Sequence, residues 1–106
     1  MRRDIDEGKP RYDLIDRNFL SRWASLMARG AEKYGAENWR KANSREELER
    51  FQASAVRHMF QWLEGNADED HAAAVAFNIA SANYTQRRLS DPLFDKEMKE
   101  KYNEDM

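Results

Sequence analysis

The sequence predicts an all-α protein, on three observations. β-Branched residues are scarce, with two Val, three Ile and one Thr. Apolar residues recur at spacings of three and four, and nowhere in the sustained alternation that a half-buried strand requires. Only 4 Gly and 2 Pro punctuate the chain. At 106 residues and 12.5 kDa there is room for one core and too little for two. The expected organisation is a single helical domain over 1–106 with four helices: an arm over 1–15, a three-helix core over 16–89, and a C-terminal helix or tail over 90–106.

Each helix has a start signal. Asp16 is an N-cap for the first, whose stripe runs Phe19, Trp23, Leu26, Met27, Gly30 and Tyr34 and ends near Gly35. Ser44 and Glu47 form an S-x-x-E capping box for the second. Its apolar face carries Leu48, Phe51, Ala55, Met59, Trp62 and Leu63, and Gly65 stops it. The third is expected to start at Asp68, where three acids in a row suit the positive end of a helix dipole, and to run to Arg88 or Leu89. Its alanines (72, 73, 74, 76, 80 and 82) leave little bulk, so neighbours can approach on more than one side and the helix belongs at the centre. Ser90-Asp91-Pro92 opens a short fourth helix bearing Leu93, Phe94, Met98 and Tyr102. About three turns hold poorly in water alone, so that stripe needs the domain's core or another subunit to cover it.

Composition removes several functions. The 18 basic and 20 acidic side chains nearly balance, so no charge excess drives generic binding to DNA or to a membrane. A mean hydropathy of −1.04 and a longest apolar run of only Ala72 to Phe77 exclude a membrane span of the usual length. The charged N-terminus, MRRDIDEGKPRYDLID, lacks the apolar stretch of a secretory signal, and the expected location is the cytoplasm. With no cysteine, thiol nucleophiles and zinc ribbons are out, and any metal must be held by O or N ligands. P-loop, dinucleotide-binding, nucleophile-elbow and H-E-x-x-H motifs are all missing.

Four clusters could carry chemistry. In the arm, Lys9 and Arg11 can meet phosphates and Tyr12 can stack on a base; alternatively Tyr12, Leu14 and Ile15 pack while the charges stay in solvent. Around the end of the first helix, Lys33 can neutralise phosphate, Tyr34 or Trp39 can stack, and Asn38 can read a base edge; alternatively Gly35 caps the helix and Trp39 plugs it. His58 faces inward on the second helix, and His71 and Asn78 lie seven apart on the third, so the three are expected to form a polar pocket between helices; alternatively each is a hydrogen-bonded polar group of the core. Glu64, Asp68, Glu69 and Asp70 bracket the loop between those helices as oxygen ligands for Mg²⁺ or Mn²⁺, although capping and dipole also explain three acids at a helix start.

The ordered segments GKPRYDLI, GAEKYGAENW, RHMFQWLEG and EDHAAAVAFN resemble small phage-encoded dATP/dGTP diphosphohydrolases, relatives of the MazG-like all-α nucleotide pyrophosphohydrolases. The resemblance covers roughly residues 8 to 84. It implies a MazG-like helical bundle, dimeric or larger, that uses Mg²⁺ or Mn²⁺ to cut a purine deoxynucleoside triphosphate into a monophosphate and pyrophosphate. Residue by residue it carries over Lys9, Arg11, Tyr12 and Asp13 from the first segment, and Lys33, Tyr34, Gly35, Asn38 and Trp39 from the second. From the third and fourth it carries over Arg57, His58, Glu69, Asp70, His71 and Asn78. The expected catalytic set is Glu69, Asp70, His71 and His58, with Glu64, Asp68, Glu69 and Asp70 on the metal. MazG-like enzymes hold their metals with an E-x-x-E and an E-x-x-D pair. Here Glu46 and Glu49 read as surface, and His71 and Asn78 stand where further carboxylates are expected. Three outcomes stay open: a hydrolase with a reduced acidic set and histidine help, a non-catalytic nucleotide-sequestering protein, or a helical interaction module. None requires a nucleic-acid partner.

Overall fold

Four α-helices form, and three of them start where the local signals place them. The computed structural model describes residues 8–103; the expectations that fall on residues 1–7 and 104–106 lie outside them. The helices are α1 (Arg17–Tyr34), α2 (Arg45–Leu63), α3 (His71–Ser90) and α4 (Pro92–Met98). Short 3₁₀ turns occupy Tyr12–Leu14 and Asn38–Lys41, and a π-helical turn at Lys99–Asn103 continues α4. Among the described residues there is no strand, and no helix is long and apolar enough to cross a membrane.

The caps are specific hydrogen bonds. Asp16 accepts from Phe19 N at 2.9 Å. Ser44 Oγ accepts from Glu47 N at 3.1 Å, and Glu47 reaches back to Asn43 N at 2.9 Å, one residue earlier than a standard capping box. Gly35 and Gly65 sit at positive φ, +98° and +81°, where a side chain would be strained. Asp91 alone joins α3 to α4: its N–H donates to Arg87 O at 2.9 Å, and its carboxylate accepts from Phe94 N at 3.1 Å.

The third helix starts three residues later than Asp68. Asp70 is its N-cap, accepting from Ala73 N at 3.1 Å, because the Asp68 carboxylate is engaged by His71 Nε2 at 2.8 Å. α3 is the central helix, lying against α1, α2, α4 and the 38–41 turn. Its buried stripe at 71, 74, 78, 81, 85 and 88 steps by three and four but is made of His, Ala, Asn, Ser, Thr and Arg. Asn78 Nδ2 and Thr85 Oγ1 satisfy themselves on the carbonyls of Ala74 and Ser81, both at 2.8 Å. Small and self-bonded side chains let α2 close on α3, with Phe51 and Phe77 meeting edge to face at 6.2 Å.

The apolar stripe of α2 does not stay inside along its whole length. Leu48 is buried and Phe51, Ala55 and His58 are half-buried, but Met59, Trp62 and Leu63 are exposed, together with Val56 and Phe60. The arm does not pack either: Tyr12 is 76% and Leu14 71% exposed, and Ile15 is also open. The radius of gyration is 16.4 Å, where a compact chain of this length would have about 13 Å.

The domain itself covers the C-terminal stripe only in part: Phe94, Met98 and Tyr102 are half-buried, and Leu93 is 80% exposed. Tyr84 meets Trp39 at 5.0 Å and Phe94 at 5.6 Å, linking the 38–41 turn, α3 and α4. Arg88, 2% exposed, gathers Asp95 Oδ1 at 2.7 Å, Asn103 Oδ1 at 2.8 Å and Arg40 O at 3.0 Å. Its Nη2 has no partner among the described residues. Asn103 closes the ring by donating to Lys41 O at 3.2 Å.

Candidate functional site

A cavity of about 540 Å³ opens between α1, the turn that follows it, and the α2–α3 pair. α1 presents Leu26, Arg29, Gly30, Lys33 and Tyr34 to it because these positions lie on adjoining stripes of one helix. The positive φ of Gly35 reverses the chain so that Asn38 and Trp39 come back over the opening. Phe51 and Phe77 form the floor, and Glu69, from the loop before α3, forms one wall. The lining thus combines an apolar slot, two cations, an amide and one carboxylate in a volume that suits a small ligand. Trp39 is held from behind by Tyr84 and by the Arg40 guanidinium, 4.3 Å from its ring.

Beside that wall, His58 and His71 meet Nδ1 to Nδ1 at 2.9 Å. His71 is 2% exposed, and its Nε2–H donates to Asp68 Oδ1 at 2.8 Å. The histidine beside it holds the Asp68 carboxyl below its usual range, and burial pushes the His58 imidazole down. Glu69 is exposed and makes no side-chain hydrogen bond or ion pair among the described residues. One atom each of His58, Glu69 and His71 lies within 4.8 Å of the others. Glu69 is therefore shared between the histidine pair and the cavity.

The other sequence candidates have different placements. Asp70 gives both carboxylate oxygens to Arg22, at 2.8 and 2.9 Å, and this guanidinium holds it at a pKa of about 2. Glu64 is the exposed C-cap residue of α2, outside the converging group. Asn78 is buried but bonded within its own helix, so the expected three-residue polar pocket contains only the two histidines. Arg57 is exposed and donates to Ser54 Oγ at 3.2 Å. Lys9, Arg11, Tyr12 and Asp13 are exposed and do not line the cavity, and Arg11 pairs with Asp13 at 2.7 Å. Glu46 and Glu49 face solvent beside Arg50 and Arg45.

Arg22 and Arg29 were not among the sequence candidates. They lie seven apart on α1, two turns along one edge of its apolar stripe, and that spacing was the available signal.

Together these features define a small all-α protein with an aromatic, cation-flanked cleft set against a histidine–carboxylate cluster. A family model described as dATP/dGTP diphosphohydrolase, N-terminal, matches residues 2–97, and the chain belongs to that family. No curated protein and no solved structure matches it.

Proposed function

We propose that the protein is a metal-dependent nucleoside triphosphate pyrophosphohydrolase acting on purine deoxynucleotides, dATP and dGTP, and releasing monophosphate and pyrophosphate. One observation carries this reading: Lys33, Tyr34, Asn38 and Trp39 share a single cavity with Glu69. In this reading the base stacks against Trp39 or Tyr34, and Asn38 hydrogen-bonds its edge. Lys33 and Arg29 face the phosphates and stabilise the charge that develops on them. Glu69 orients or deprotonates the attacking water. A divalent cation, Mg²⁺ or Mn²⁺, would be held beside Glu69 and would lower the charge on the phosphates. The converging donors are two imidazoles and one carboxylate, which fit Mn²⁺ and leave Mg²⁺ short of oxygen ligands.

The engagement of Asp70 by Arg22 and of Asp68 by His71 favours a second reading, a nucleotide-sequestering protein without turnover. The two are separated by pyrophosphate release from ribo- and deoxynucleoside triphosphates, with Mg²⁺ or Mn²⁺ and with chelator, beside thermal-shift binding of the same panel. Metal-dependent release with a purine preference supports the hydrolase. Stabilisation without release overturns it in favour of the binder.

We also place the protein in the cytoplasm, that of an infected cell if it is phage-encoded, as a homodimer or larger oligomer. The exposed row Val56, Met59, Phe60 and Leu63 on α2 supports self-association.

A further inference from the structure

We propose that His58, His71 and Glu69 form a binding site for a first-row transition-metal ion of the Mn²⁺ to Zn²⁺ series, with both histidines ligating through Nδ1. What such an ion would be for rests on the nucleotide reading above; the site itself rests on these side chains.

Asp68 fixes the tautomer. Its carboxylate can only accept from His71 Nε2–H at 2.8 Å, so the lone pair of neutral His71 lies on Nδ1. This carboxylate–imidazole arrangement orients a metal-ligating histidine and raises its basicity. The atom facing that lone pair is His58 Nδ1, 2.9 Å away. Without an ion, His58 Nδ1–H donates across the gap. With the His58 proton carried on Nε2 instead, two lone pairs converge on one point.

The spacing suits a shared ion. Ligand nitrogens about 2.1 Å from one ion, at angles of about 90–110°, sit about 3.0–3.4 Å apart, so the pair needs to open by only a few tenths of an ångström. Glu69 supplies the third donor within reach of both rings. Charge favours occupancy: the carboxylates of Asp68 and Glu69 face the two rings, and the nearby Arg57 is exposed and bonded to Ser54. Imidazole nitrogen selects borderline ions over Mg²⁺ and Ca²⁺, which prefer oxygen. Three protein ligands would leave a coordination position open, and one of the three, Glu69, also lines the cavity.

The test titrates the metal-stripped chain with Co²⁺ alone, nucleotide absent, and follows the visible absorption of the ion. The expected result is saturation at one ion per chain, displacement by stoichiometric Zn²⁺, and no displacement by millimolar Mg²⁺. Asp68→Asn weakens binding by about 10–100-fold. His58→Gln and Glu69→Gln abolish the spectrum while far-UV circular dichroism is kept; Glu69 is exposed, so that variant has no packing to lose. No Co²⁺ spectrum in the parent chain, or an unchanged one in Glu69→Gln or His58→Gln, overturns the site. Co²⁺ binding without pyrophosphate release keeps the site and removes the reaction. Pyrophosphate release with Mg²⁺ from a parent chain that shows no Co²⁺ spectrum keeps the reaction and removes the site.

Discussion

The Arg22 guanidinium reaches from α1 to the start of α3 and grips both carboxylate oxygens of Asp70, at 2.8 and 2.9 Å. The pair ties the wall of the cavity that α1 provides to the cap of the central helix. Because Asp70 is depressed from 3.8 to about 2, its contribution is complete above the unfolded value and disappears as pH falls through about 2. Asn is also a good N-cap, so Asp70→Asn removes the ion pair and keeps the cap. We expect a lower urea midpoint at pH 7 and little difference from the parent at pH 2. Arg22→Gln gives the same loss, and the double variant adds little more.

Gly30 lines the cavity, and a Cβ built there meets nothing within 4 Å. Gly30→Ala therefore raises stability by about 0.5–1 kcal/mol, as expected inside a helix. Gly30→Phe fills the cleft without touching the packing behind it. The thermal shift induced by dATP or dGTP disappears in that variant while its own melting temperature stays near the parent value.

Arg88 makes three hydrogen bonds to three separate groups, and a lysine cannot reproduce its fork. Arg88→Lys and Arg88→Ala each destabilise by about 2–4 kcal/mol, the Ala variant by more. Amide hydrogen exchange over residues 92–103 accelerates ahead of the rest of the chain. Uniform acceleration would show that Arg88 does not single out the tail.

Phe60 is 61% and Leu63 66% exposed on the outer face of α2. If a second copy covers that face, Phe60→Glu with Leu63→Glu converts the parent oligomer to a monomer in light scattering. Fold is retained, since neither side chain is packed in the single chain. A monomeric parent, or an unchanged mass in the variant, removes α2 as the interface.

The helices were legible because their signals are local: Asp16, the Ser44–Glu47 box, and Asp91 before Pro92 all act within one turn. The start of α3 was not, since Asp68 and Asp70 are equally good caps in isolation and only the reach of Asp68 to His71 separates them. In the candidate site, Lys33 to Trp39 was legible because a glycine turn folds contiguous residues onto one opening. The meeting of His58 and His71 followed from their inward positions on successive helices. Asn78 was misplaced because a buried amide can satisfy itself on its own helix, which periodicity does not reveal. Arg22 and Arg29 become informative only once α1 is laid against α3.

Asp91 ends one helix and begins the next with no residue to spare. A linker tolerates changes of length; this corner does not. One inserted residue would turn α4 by about 100° around its axis and swing Asp95 away from Arg88. Related chains should therefore vary in sequence along α4 far more freely than in the number of residues between Arg88 and Asp95, a spacing that keeps the tail in phase with the turn that carries Trp39.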